Sequence, residues 1–127
     1  MKELLFGILG FFAVGIGIII AFVNKFSKKT YNTKEVEILK LEDVIIFFKK
    51  KEIFDKLVSN DNLIAVAIKE KNKLKSDKYS YNILLTLYDE KTEDILTIDN
   101  CTLMFKAKDI DNDLKNAFGN KDMIVLN

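Results

Sequence analysis

The sequence contains no histidine, no proline, no tryptophan and one cysteine in 127 residues, and all 20 of its basic residues are lysine, so arginine is missing as well. Each gap closes a class of function. Without imidazole the chain lacks the usual general base near neutral pH and the commonest metal ligand. A single cysteine permits neither an intramolecular disulfide nor a multi-cysteine zinc or iron–sulfur site. Without guanidinium there is no bidentate fork for phosphate, carboxylate or guanine. Ser27, Ser59, Ser76 and Ser80 have no histidine to activate them and sit in no G-x-S-x-G elbow. No G-x-x-x-x-G-K loop is present to cradle a phosphate.

Charge is balanced overall but unevenly placed. Residues 1–29 hold Lys2, Lys25, Lys28 and Lys29 against Glu3, a net of +3, while residues 30–127 hold 16 lysines against 18 acids, a net of −2. The larger part is slightly acidic and free of arginine, so no nucleic-acid partner is expected. Its length suits one small domain and is too short for two.

What the sequence does have is one long apolar run. Leu4 to Val23 is twenty residues without a charge or a side-chain hydrogen-bonding group; fourteen are Leu, Ile, Phe or Val, and six are Gly or Ala. As a helix it would span about 30 Å, the thickness of a hydrocarbon core. Its fourteen large side chains favour the bilayer by roughly 0.3 to 0.6 kcal/mol each at the centre. In water the same helix would have no polar face. The run is too long for a signal-peptide apolar region, and it passes straight into Asn24, Lys25 and Lys28 without an A-x-A cleavage site. A retained transmembrane helix is therefore expected over 4–23, after a short tail of residues 1–3.

Gly10, Ala13, Gly17 and Ala21 place small residues along one stripe of that helix. Such a stripe lets two helices approach closely and makes the run a candidate for self-association. The G-x-G at Gly15–Gly17 lacks the third glycine and any preceding strand, so it is no dinucleotide fingerprint. Residues 24–34 form a basic linker in which Lys25, Lys28 and Lys29 are candidates for contact with anionic lipid head groups, with Phe26 and Tyr31 suited to the interface. The lysine excess lies on the domain side of the run, which places the C-terminal domain on the cytoplasmic side.

Residues 35–127 read as a small soluble α+β domain. Glu35 to Leu39 alternates as a short strand or helix lead-in. Apolar residues at 41, 44, 45 and 48, then 53, 54, 57 and 58, give helical spacing interrupted by Lys49–Lys51, hence one helix or two, ending at Ser59-Asn60. Strand signals follow at 62–68, 79–88, 94–98 and 101–106, the last two joined by a tight turn at Asp99-Asn100. They predict an antiparallel meander with one apolar face, covered by the 41–59 helices. Asp111 is placed to cap a short helix that buries Leu114, Ala117 and Phe118 and stops at Gly119, before a final strand over 121–126.

The remaining chemistry is sparse. Asp109, Asp111 and Asp113 imitate the opening of a calcium loop, but Leu114 occupies the glycine position and Asn120 the bidentate glutamate position. Cys101 has no histidine to act as its base and reads as a buried structural residue. No catalytic residue, cofactor or metal is expected. The expectation is a single-pass membrane protein whose α+β domain works as a non-catalytic interaction or accessory module. Its partners would be the lipid bilayer, a second copy through the membrane helix, and an unidentified protein. Two alternatives stand beside it: an envelope-facing ligand-binding domain of reversed topology, and a histidine-independent membrane-bound enzyme acting through carboxylates or lysine.

Overall fold

The computed structural model describes residues 32–71, 81–96 and 99–126. The run at 4–23 with Gly10, Ala13, Gly17 and Ala21, and the linker lysines Lys25, Lys28 and Lys29, lie outside these residues. Among the described residues no helix is long and apolar enough to cross a membrane.

The described chain is α+β, a mixed six-stranded sheet with three helices. In chain order it runs β1 (Thr33–Leu39), α1 (Leu41–Phe48), α2 (Lys51–Ser59), β2 (Leu63–Lys71), β3 (Tyr81–Asp89) and β4 (Asp94–Leu96). A single 3-10 turn (Asp99–Cys101) then leads into β5 (Leu103–Ile110), α3 (Asn112–Phe118) and β6 (Met123–Leu126). The strand order is β1-β5-β3-β2-β6, with β4 pairing to β3 off this path.

Two expectations about the sheet are corrected here. The strands at 94–98 and 101–106 do not form a hairpin with each other. β4 and β5 both pair with β3, β4 at Leu87–Asp89 and β5 at Tyr81–Leu85, so the long central strand takes them end to end. The residues between them fold as a 3-10 turn rather than a tight β-turn. Nor is the sheet a plain meander. β1 pairs parallel with β5, and Thr33 stands opposite Met104. The chain between these two strands, residues 40–102, includes α1, α2, β2, β3 and β4, and a long connection is required because parallel strands cannot be joined by a hairpin.

Local chemistry accounts for the helices. Lys40 precedes α1 and has no side-chain acceptor for the free N–H groups of the first turn. Asp43 supplies half of a capping box by accepting from Lys40 N–H at 3.1 Å. Lys49 and Lys50 break the helical run. Lys49 N–H closes back onto the carbonyls of Ile45 and Ile46, and Lys50 takes an extended ψ of 138° as α2 begins. The lysine triplet is exposed, and Lys50 Nζ lies 5.4 Å from the ring centroid of Phe47. Gly119 ends α3 at φ 58°, ψ −124°, a conformation that costs a residue with a Cβ far more than it costs glycine.

Leu41, Val44, Phe47 and Phe48 of α1, Ile53 and Leu57 of α2, and Leu114, Ala117 and Phe118 of α3 all belong to one buried cluster. Its sheet side is formed by Ala65, Ala67, Ile83, Leu85, Leu87 and Phe105, among others. At ~1.5–3 kcal/mol for each large apolar side chain removed from water, this cluster is the main source of the domain's stability. All three described helices therefore lie on one face of the sheet.

Candidate functional site: the second face of the sheet

Side chains alternate across a strand, so each strand also presents the opposite face. Ile64, Val66 and Ile68 of β2 face away from the helices and meet Leu84 and Tyr88 of β3. Ile95 of β4, Met104 of β5, and Met123 and Val125 of β6 complete a second apolar cluster, to which no helical residue belongs. Toward β1 the same face turns polar. Lys106 and Lys108 follow Met104 at two-residue spacing, and Lys108 pairs with Glu37 at 3.6 Å, half exposed. The face is thus an apolar field over β2, β3 and β6 with a charged margin at β1.

Polar groups on this face are few and specific. Thr86, flanked by Leu84 and Tyr88, is fully buried and Thr102 is 6 % exposed. Their hydroxyls lie 2.9 Å apart, and Thr86 Oγ1 also donates to Leu96 O at 3.1 Å. The pair ties the centre of β3 to the junction between β4 and β5. Asn82 Oδ1 is buried and has no hydrogen-bond partner among the described residues. Burial, and then the carboxylates Glu93, Glu90, Asp89 and Asp94, push the Tyr88 phenol above its ordinary range.

The chemistry weighed from sequence resolves residue by residue. Asp109 accepts from Ile110 N–H at 2.8 Å and pairs with Lys115 at 3.3 Å. The Ile110 N–H and then Lys115 hold its carboxyl below the usual carboxylate range. Asp111 Oδ1 accepts from Leu114 N–H at 2.9 Å, the expected cap of α3, and also from Leu41 N–H at 3.2 Å at the start of α1. One carboxylate therefore serves two helix N-termini, where negative charge is favoured. Asp113 lies exposed in the first turn of α3. Asp111 is thus engaged as a cap, and Asp109 by a backbone N–H and a lysine. Among the described residues no group of three His, Cys, Asp or Glu side chains is placed to hold a metal.

Cys101 is fully buried and unpaired. Burial pushes its thiol up; the charge of Lys56 opposes this more weakly, and Glu52 adds to it. A nucleophilic thiol needs the reverse shift. The adjacent carboxylates Glu42 and Asp43 lie in the first turn of α1. Asp89 closes β3 and accepts from Lys91 and Thr92 N–H, and Glu93 precedes β4 at φ 54°.

The expected membrane-helix packing residues Gly10, Ala13, Gly17 and Ala21, and the head-group lysines Lys25, Lys28 and Lys29, fall outside the described residues. The face itself was missed by the one-sided meander. Its signal was present: L-I-A-V-A-I at 63–68 and I-L-L-T-L-Y at 83–88 are nearly continuous apolar runs, the pattern of strands buried on both sides. Comparisons with models of known families, with curated proteins and with solved structures each returned no match.

Proposed function

We propose that this chain is a single-pass membrane protein in which the apolar run Leu4–Val23 holds a non-catalytic α+β interaction module at the bilayer surface, on the cytoplasmic side. The observation that carries the proposal is the run itself: twenty residues with no polar side chain, followed by Lys25, Lys28 and Lys29. The fold supports close tethering. β1 begins at Thr33, so only nine residues separate it from Val23, a reach of about 30 Å when fully extended. The sheet also carries a second apolar cluster distinct from the helix-covered core.

The test is a sodium carbonate wash of membranes carrying the full chain, with a compartment-specific reporter fused after Asn127. The expected result is that the chain stays in the membrane pellet and a reporter active only in the cytoplasm is on. Release into the supernatant would overturn the anchor, and activity of an envelope-side reporter would overturn the orientation.

A further inference from the structure

The corner between α1 and α2 is marked by charge, and the sheet register fixes its height. β1 and β2 point the same way, because β1 is parallel to β5 while β5 to β3 and β3 to β2 are antiparallel. Thr33 stands level with Met104, Leu84 and Ile68. Leu39 lies six positions beyond that level and Leu63 five short of it, about 36 Å apart along the strands. The eight residues of α1 and nine of α2 rise only about 26 Å together. Both helices therefore run back along the sheet, and the corner at Lys49–Lys51 falls about halfway, near the level of Thr33.

Lys49, Lys50 and Lys51 are all exposed, and among the described residues no ion pair joins any of them to a carboxylate. The dipole of α1 favours cations at its C-terminal end, but Lys51 opens α2, where the same effect opposes a cation. Local stability therefore does not account for the whole triplet. Ile46 is 54 % exposed and neighbours Lys49 and Lys50 on the helix surface, at i+3 and i+4. The other exposed large apolar residues described, Ile38 and Val58, adjoin no run of lysines in the sequence. An apolar side chain among unpaired lysines suits an anionic lipid surface, where it enters the interface while the ammonium groups meet head groups.

We infer that the corner Ile46–Lys51 docks on the anionic bilayer surface beside the anchor, turning the helix-covered side of the sheet toward lipid. This contact rests on the anchor proposed above, which makes it intramolecular. The linker of about 30 Å lets a corner level with Thr33 meet the same surface. Each lysine near such a surface changes the docked-to-free ratio about fivefold, and three together about a hundredfold.

The full chain is reconstituted in vesicles of phosphatidylcholine alone or mixed with phosphatidylglycerol, floated, and footprinted with hydroxyl radicals. The expected result is flotation with both compositions and several-fold slower labelling of Ile46 with phosphatidylglycerol, a larger change than at Ile38 or Val58. High salt should remove that protection without removing flotation, because exposed charges are screened. Replacing the triplet by Lys49→Gln, Lys50→Gln and Lys51→Gln should restore Ile46 labelling, while the fully buried Val44 stays unlabelled and reports an intact fold. Chain that floats with both lipids but shows equal Ile46 labelling would overturn the docking and leave the anchor standing. Equal protection of Ile38, Ile46 and Val58 would overturn it too. Protection with phosphatidylcholine alone that is lost on dilution into more lipid would give the corner to a second copy and overturn the bilayer as its occupant. Flotation only with phosphatidylglycerol, lost in the triple variant, would instead keep the docking and remove the anchor.

Discussion

Replacing Asp111 with alanine removes two hydrogen bonds that lie far apart in sequence and meet at one oxygen. Oδ1 accepts from Leu114 N–H at 2.9 Å and from Leu41 N–H at 3.2 Å. Loss of the α3 cap costs about 1 kcal/mol. The second loss adds about 1 kcal/mol, the low end for an unsatisfied buried group, because the Leu41 site is only partly buried. Lys40 cannot replace the acceptor. A total of about 2 kcal/mol in a domain of this size lowers the midpoint of thermal unfolding by about 8–16 °C. The assay is far-UV circular dichroism of the full chain in detergent micelles, read beside hydrogen exchange at the Leu41 amide. Asp111→Asn keeps the Oδ1 acceptor and is expected to lose less than half as much. A fall for Asp111→Ala below about 3 °C, or unchanged protection at Leu41, would refute the idea that one carboxylate joins α1 to α3.

The buried hydroxyl pair makes a second prediction: Thr86→Val leaves Thr102 without its partner and destabilises by about 1–3 kcal/mol, whereas Thr86→Val with Thr102→Val together costs less than the sum of the singles. A double-mutant cycle in urea checks it. Gly119→Ala is expected to cost about 1–3 kcal/mol from backbone strain alone, because a Cβ there meets nothing within 4 Å; equal stability would refute it. Cys101 predicts a pH dependence. Its folded thiol titrates above its ordinary 9.0, so the folded state keeps a proton that the unfolded state gives up as pH rises past that value. Its contribution is therefore complete below pH 9.0 and is lost as pH climbs toward the folded value. Urea midpoints measured across that range should fall less steeply in Cys101→Ala than in the parent.

Much of the local structure was legible. The 3.6-residue spacing over 41–59, interrupted by three lysines, was compatible with one helix or two, and the structure has two, α1 and α2; the Asp111-to-Gly119 punctuation gave α3. Capping and periodicity act over a few residues, so a single sequence carries them. What did not follow was pairing. β1 meets β5 in parallel, and β4 and β5 share β3; these choices are set by how helices pack over the sheet, which neighbouring residues do not encode. The second face was a different omission. Its apolar runs were read as strands, but alternation was assumed where residues 63–68 and 83–88 show little. Asp111 was found as one cap and not two, because Leu41 becomes its neighbour only through the β1–β5 pairing that also brings Asp111 N–H to Leu39 O.

That pairing has a consequence for synthesis. Thr33 lies opposite Met104, so β1 leaves the ribosome about 70 positions ahead of the strand that completes it. At ~5–20 residues per second it waits on the order of 4 to 14 s with both edges unmatched. Lys34, Glu35 and Glu37 discourage wrong partners during the delay, since charged side chains are the usual defence of an open edge.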